Sequence, residues 1–212
     1  MDQLIELLTN SSEEERNGLA RILDISESDP HSLVESIQWN SQSIFGYIFN
    51  SNDSYKPIVR QVADKLGIEY KKYDTVSDVE KKIAQKILET VWEKMTPEQR
   101  KEMEEELRKT AKEFDKSGSL ATSASMFAAL TAANLSGFGI YLAASTALGA
   151  ITSFVGITLP FAVYTTMSSA IAVAIGPVGW IGMGLFAIWS LTGPNYKKLI
   201  PAILYVSLLR NK

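Results

Sequence analysis

"IAVAIGPVGWIGMGLFAIWS", residues 171–190, contains no charged side chain but four glycines, one proline and two tryptophans. Whether such a stretch forms a protein core or enters a bilayer decides the fold. It lies inside a longer run, residues 117–196, that holds no Asp, Glu, Lys, Arg or His. A helix on the surface of a globular protein carries a polar face, usually charged. No helix within this run can carry a charged one.

Outward from the run, the 212-residue chain is sharply divided. Its net charge of -3 conceals a front part, residues 1–116, with all 24 acids and 17 of the 21 Lys and Arg residues. Beyond Lys116 the charged residues are Lys197, Lys198, Arg210 and Lys212. The expected organisation is a soluble acidic helical domain over 1–116, regulatory or partner-binding, and a hydrophobic helical region over 117–212 that interacts with a lipid membrane. An amphipathic helix over 196–210, "YKKLIPAILYVSLLR", should close it, with Pro201 lying in it or kinking it. Cysteine is absent, which excludes thiolate metal sites and a cysteine nucleophile and favours a reducing compartment. "MDQLIELLTN" has no basic segment before an apolar core, so no secretory signal is expected. The acidic front part offers no basic stripe for phosphates, so no nucleic-acid partner is expected.

The front part reads as short capped helices. In "SSEEERNGLARIL", Ser11 with Glu14 or Ser12 with Glu15 can form a capping box, and Leu19, Ile22 and Leu23 then share a face. Another helix restarts after Asp29 with Pro30 in its first turn. "SYKPIVRQVADKLG" presents Ile58, Val62 and Leu66 on one face and stops at Gly67. In "VSDVEKKIAQKILETVWEKM" the stripe Val79, Ile83, Ile87, Val91 and Met95 marks a helix, with Ser77 and Glu80 as the expected capping box. Thr96, Pro97 and Gln99 open the next one, whose thin apolar face is Met103, Leu107, Ala111 and Phe114. No alternating strand pattern occurs, and the fold class is all-α.

In the charge-free run, Gly118, Gly137, Gly139, Pro160, Gly176, Pro177 and Gly193 are the expected hinges and turns. They leave helices at roughly 120–135, 138–155, 160–175 and 178–191, short for separate spans, which need roughly 20 apolar residues. The candidate membrane-inserting side chains are Phe127 and Leu130 in the first, and Phe138, Ile140, Leu142 and Phe154 in the second. Phe161, Val163, Ile171 and Val173 follow in the third, and Trp180, Phe186 and Trp189 in the last. Ala128/Ala132, Ala143/Ala147, Ser145/Gly149 and Ala170/Ala174 are spaced for close helix approach. Thr131, Asn134, Ser145, Thr152, Thr165 and Ser168 either line a water-filled pore or return hydrogen bonds to their own helix. Arg108, Lys109, Lys112 and Lys116 before the run, and Lys197 and Lys198 after it, put both ends on the cytoplasmic side, hence an even number of spans. A hairpin or a four-segment bundle fits.

Catalytic signals are weak. The one histidine, His31, sits by Pro30 at a helix start and reads as a surface or capping residue. "EMEEEL" (102–107) is interleaved with Arg100, Lys101, Arg108 and Lys109 and reads as a solvated ion-paired face rather than a metal site. "GPVGWIGMG" lacks the Gly-Lys-Ser/Thr ending and preceding strand of a phosphate loop. No enzyme, cofactor or metal is expected.

"SSEEERNGLARIL", "YKPIVRQVADKLGI" running on to "VEKKIAQKILETVWEKMTPEQRKEM", and "GPNYKKLIPAILYVSLLR" together resemble the YaaW family of uncharacterised bacterial proteins, classified beside ubiquinol–cytochrome c chaperones. Trp92, Pro201 and Arg210 are the marked positions. The resemblance implies a bacterial helical protein and carries no catalytic residues. In the order of its parts, charged helices around an Ala/Gly-rich hydrophobic hairpin, the chain is also similar to colicin pore-forming domains. The leading expectation is a membrane-inserting, pore-forming or membrane-perturbing effector of the toxin or cell-defence kind, in the bacterial cytoplasm and inner membrane, able to form a homo-oligomer. The competing expectation is a soluble helical chaperone or adaptor for membrane-protein assembly, with 117–196 as its buried core.

Overall fold

The computed structural model describes residues 3–41, 55–115, 117–155 and 194–212, with the side chains of 153–155 outside that set. Among the described residues all regular structure is helical, so the fold class is all-α. The helices are α1 (Gln3–Thr9), α2 (Glu13–Leu23), α3 (Pro30–Ser41), α4 (Tyr55–Lys65), α5 (Val76–Lys94), α6 (Pro97–Phe114), α7 (Met126–Leu130), α8 (Phe138–Val155) and α9 (Tyr196–Arg210).

Local chemistry sets most helix starts. Of the two candidate boxes before α2, Ser12 with Glu15 forms: the Glu15 amide donates to Ser12 Oγ at 3.2 Å and the Ser12 amide to Glu15 Oε2 at 2.8 Å. The Ser11 hydroxyl turns back to the Leu7 carbonyl at the end of α1. Asp29 Oδ1 accepts the His31 and Ser32 amides at the start of α3. Thr96, Pro97 and Gln99 open α6 as expected. Helix α5 differs. Its box is Thr75 with Asp78, and Ser77 and Glu80 already lie inside the helix. Glu80 lies on the buried face with Val79, Ile83, Ala84 and Ile87. The short helix α1 was not expected; Leu4 and Leu8 are its buried residues, too few for a periodicity to show.

Helix α9 is the centre of the assembly. It packs against α2, α3, α4, α5 and α8, while α8 lies between α5 and α9 with α7 across it. Every residue from Leu199 to Leu209 is buried. The expected amphipathic helix therefore has no wet face along its middle: five helices enclose it, and Tyr205 and Ser207 are buried with its apolar residues. Each fully buried Leu, Ile or Val there contributes roughly 1.5–3 kcal/mol of transfer free energy. Pro201 sits in the N-terminal half of α9 and removes one backbone donor without ending the helix.

The expected helix over 120–135 is cut down to α7. Glu104 and Ser125 fix its start: Ser125 Oγ accepts the Ala128 amide at 3.2 Å, and the carboxylate of Glu104 takes the Met126 and Phe127 amides at 2.7 and 3.1 Å. The stretch 117–124 remains turns. Ala132 lies beyond α7, so Ala128/Ala132 is not a helical pair. The expected helix over 138–155 forms with those bounds. Those expected at 160–175 and 178–191, and the Ala170/Ala174 pair, lie outside the described residues.

Candidate functional site

The chemistry most specific to this chain is the burial of an uncharged helix among charged ones. Residues 139–152 of α8 are all buried. Ala143, Ala144, Ala147, Gly149 and Ala150 keep the surface of α8 low, so α5 and α9 approach closely. Its hydroxyls are satisfied internally: Ser145 and Thr146 donate to the Leu142 carbonyl at 3.0 and 2.7 Å, and Thr152 to the Leu148 carbonyl at 2.9 Å. Thr131 likewise donates to the Phe127 carbonyl. Of the residues that could line a pore, these take the back-bonded alternative; Asn134 is exposed, and Thr165 and Ser168 lie outside the described residues.

Beside α8, α9 is fastened to α5 by charge. Glu80 is fully buried, and Arg210 from the last turn of α9 donates Nε to its Oε2 at 3.0 Å. The Tyr55 hydroxyl, from α4, donates to Glu80 Oε1 at 2.9 Å. Burial pushes the Glu80 carboxyl above the usual glutamate range, and Arg210 and Tyr55 pull it back. Three elements thus converge on one carboxylate in a low-dielectric setting, where breaking the set costs more than forming it gains. At the other end of α9, Lys198 Nζ donates to the Leu23 carbonyl at 2.7 Å and meets Asp24 at 3.4 Å, placing a cation on the C-terminus of α2.

The chain entering α8 is clamped by side chains of α5 and α6. Arg108 donates to the Ala121 and Ser123 carbonyls, both at 2.7 Å. The Ser125 hydroxyl donates to Glu104 at 2.6 Å. Gln85 reaches the Leu130 and Ala132 carbonyls, and Lys81 the Ala133 carbonyl. Trp92 stacks on Phe127 with ring centres 4.4 Å apart, and Arg100 lies over the Trp92 ring at 5.6 Å. Glu104 therefore leaves the solvated face assigned to "EMEEEL" and acts as an anchor at the N-terminus of α7. The sequence carried no signal for this, because its partners are backbone amides 22 and 23 residues away.

The expected inserting residues separate as follows. Leu130, Ile140 and Leu142 are buried, and Phe127 and Phe138 pack partly against the core. Phe154 falls in α8, its side chain outside the described residues. Phe161, Val163, Ile171, Val173, Trp180, Phe186 and Trp189, the turn residues Pro160, Gly176, Pro177 and Gly193, and Lys116 all lie outside them. Gly118 and Gly137 hold left-handed backbones with φ of 68° and 51°. Gly139 does not turn the chain: it is buried in the first turn of α8, where Leu135 fills the space a side chain would need. Lys112 and Lys197 are exposed, whereas Lys198 is engaged at α2. Among the described residues no helix is long and apolar enough to cross a membrane, and no group of His, Asp or Glu converges as a metal site.

The chain is 33% identical over 209 residues to a UPF0174 protein of Helicobacter pylori strain J99, an alignment that takes in 98% of this chain and 79% of that protein. The chain belongs to the UPF0174 family. A UPF0174 protein of Helicobacter pylori strain 26695 is 28% identical over 210 residues, 98% of this chain and 97% of that protein. No family model and no solved structure matches. Since the alignments run almost end to end, the UPF0174 likeness covers both the charged front helices and the charge-free run.

Proposed function

We propose that this UPF0174 protein is a membrane-inserting bacterial effector, pore-forming or membrane-perturbing and of the toxin or cell-defence kind. It acts without catalysis at the boundary between cytoplasm and inner membrane. The observation that supports the reading is the uncharged α8, buried over 139–152 against α5 and α9. In this arrangement the apolar helix is stored, and the Glu80–Arg210 pair and the Glu104 and Arg108 anchors hold the store closed. Release exposes α8 and the adjoining charge-free run to lipid, and several copies assemble into a leak. Residues 1–116 carry the regulatory or partner-binding role. The order of parts, similar to that of colicin pore-forming domains, supports the same reading.

A second reading has an observation in its favour. Helix α9 is built into four front helices, α2, α3, α4 and α5, as expected of a helical chaperone or adaptor whose core is permanent. Dye release from phosphatidylglycerol vesicles by the purified full-length protein separates the two. Release, with toxicity on overproduction, is the outcome for an effector. Intact vesicles and healthy cells at every protein concentration would sink it in favour of the adaptor.

A further inference from the structure

Helices α6 and α7, separate in sequence, are bonded into one piece. Glu104 of α6 accepts the Met126 and Phe127 amides and the Ser125 hydroxyl, and Arg108 holds the Ala121 and Ser123 carbonyls. Between them Asp115, just past α6, accepts the Ser117 and Leu120 amides, both at 3.0 Å. Helix α6 packs chiefly on α7, and α7 on α6 and α8. Two narrow connections join this piece to the rest. At one end the chain passes from α5 to α6 through Met95 and Thr96 alone. Arg100 donates across that joint to the Trp92 and Glu93 carbonyls at 3.0 and 3.3 Å and keeps it together. At the other end the chain enters α8 through Gly137, an exposed residue with φ of 51° and open space where a side chain would stand. Glycine crosses backbone regions closed to other residues, so this joint can turn.

The polar fastenings between this piece and α5 come from half-buried side chains. Lys81 reaches the Ala133 carbonyl at 3.2 Å, and Gln85 the Leu130 and Ala132 carbonyls at 3.3 and 2.9 Å. Trp92, also half-buried, stacks on Phe127. Beside the Gly137 joint, Phe114 of α6 meets Phe138 of α8 with ring centres 6.5 Å apart. The apolar share of the two helices is small: Met103, Leu107 and Ala111 from α6, Met126 and Leu130 from α7. Helix α9, by contrast, buries every residue from Leu199 to Leu209. An element that buries few apolar groups and bonds near the surface opens at a lower free energy than an enclosed one. Lys101, Glu102, Glu105 and Lys112 are exposed, so α6 has a face that stays wet whether the piece is closed or swung out.

We infer that α6 and α7 form a flap, pivoting at Met95–Thr96 and at Gly137, that swings off α5 and α8 as one body while α9 stays packed. For its purpose the inference rests on the stored-helix reading above: the motion uncovers α8 on the side that α7 crosses, and is the first step of its release.

Native methionines report the motion. Met103 of α6 and Met126 of α7 are both fully buried, and Leu204→Met sets a matching reporter at a fully buried position of α9, a swap that cores tolerate well. The full-length protein is treated with hydrogen peroxide in the absence of lipid, and initial oxidation rates are read at each position by peptide mass spectrometry. Met103 and Met126 oxidise at a common rate, about tenfold or more faster than the α9 reporter. Lys81→Ala/Gln85→Ala, which removes fastenings from α5, raises both rates by one factor and leaves the α9 reporter unchanged. A response at Met126 alone, or at neither methionine, would overturn the flap. Rates no faster than that of the α9 reporter, or an equal rise at all three positions, would show opening only with the whole fold and overturn it as well. Because no lipid is present, these outcomes are independent of dye release, by which the membrane reading stands or falls.

Discussion

Arg210 and Glu80, 130 residues apart, meet through two hydrogen bonds, Nε to Oε2 at 3.0 Å and Nη2 to Oε1 at 3.4 Å. The acid is fully buried and the guanidinium 21% exposed, so the pair closes the end of α9 against α5 with little water. Arg210→Ala strands the carboxylate, and the expected loss of stability is about 3–5 kcal/mol by chemical denaturation. Replacing both by apolar residues, Glu80→Leu with Arg210→Met, is expected to come within about 1 kcal/mol of the wild type or above it. A large loss in the double variant and a small one in Arg210→Ala would contradict this account of the pair.

The pH dependence of stability separates Glu80 from the capping acids. Its carboxyl is raised above the usual 4.5 by burial, so the folded state holds the proton more readily than the unfolded state. Its contribution is fully present below 4.5 and is lost as the pH rises through the folded value. Asp78 and Asp115 are held below 3.8, chiefly by hydrogen bonds from the Thr75 and Ser117 hydroxyls. Their contributions are present above 3.8 and lost as the pH falls through the depressed values. Denaturation curves of wild type and Glu80→Gln should therefore lie closest below pH 4.5, where both side chains are neutral, and the wild type should lose stability relative to the variant as the pH rises past it. Asp78→Asn and Asp115→Asn should flatten the acid limb instead.

Gly18 of α2 faces Tyr205 of α9, whose hydroxyl donates to the Glu15 carbonyl at 2.9 Å. A methyl group at position 18 would meet the Tyr205 hydroxyl oxygen and ring carbon inside contact distance. Tyr205 is fully enclosed and has nowhere to move. Gly18→Ala should cost about 1–3 kcal/mol despite the better helix propensity of alanine. Tyr205→Phe removes the clashing oxygen along with its hydrogen bond, so the Gly18→Ala/Tyr205→Phe variant should lose less than the two single losses summed. Strict additivity in thermal or chemical melts would refute the close approach.

Glu104 and Arg108 anchor residues 121–127 from one face of α6. Glu104→Ala removes the acceptor of two backbone amides and a hydroxyl. Amide exchange over 117–130 should then accelerate by about tenfold, corresponding to a local loss near 1.4 kcal/mol, with the amides of α2 unaffected. Uniform acceleration along the chain would mean that the anchor supports the whole fold and not the segment alone.

Local rules in the sequence determined the helical class, the bounds of α8 and α9, the Thr96–Gln99 box, the stop at Gly67 and the stripe from Val79 to Met95. Capping and helical periodicity act over a few residues, so they can be read one segment at a time. The charge-free run was equally plain as composition. Tertiary structure alone decided that Glu80 would be a buried ion-pair partner instead of a cap, since the packing of α9 on α5 brings Arg210 to it. It also decided that residues 199–209 would be enclosed and that Glu104 would serve α7. Each outcome depends on groups tens to more than a hundred residues apart, brought together only when α9 is buried among the front helices, and no periodicity within one segment encodes such a meeting.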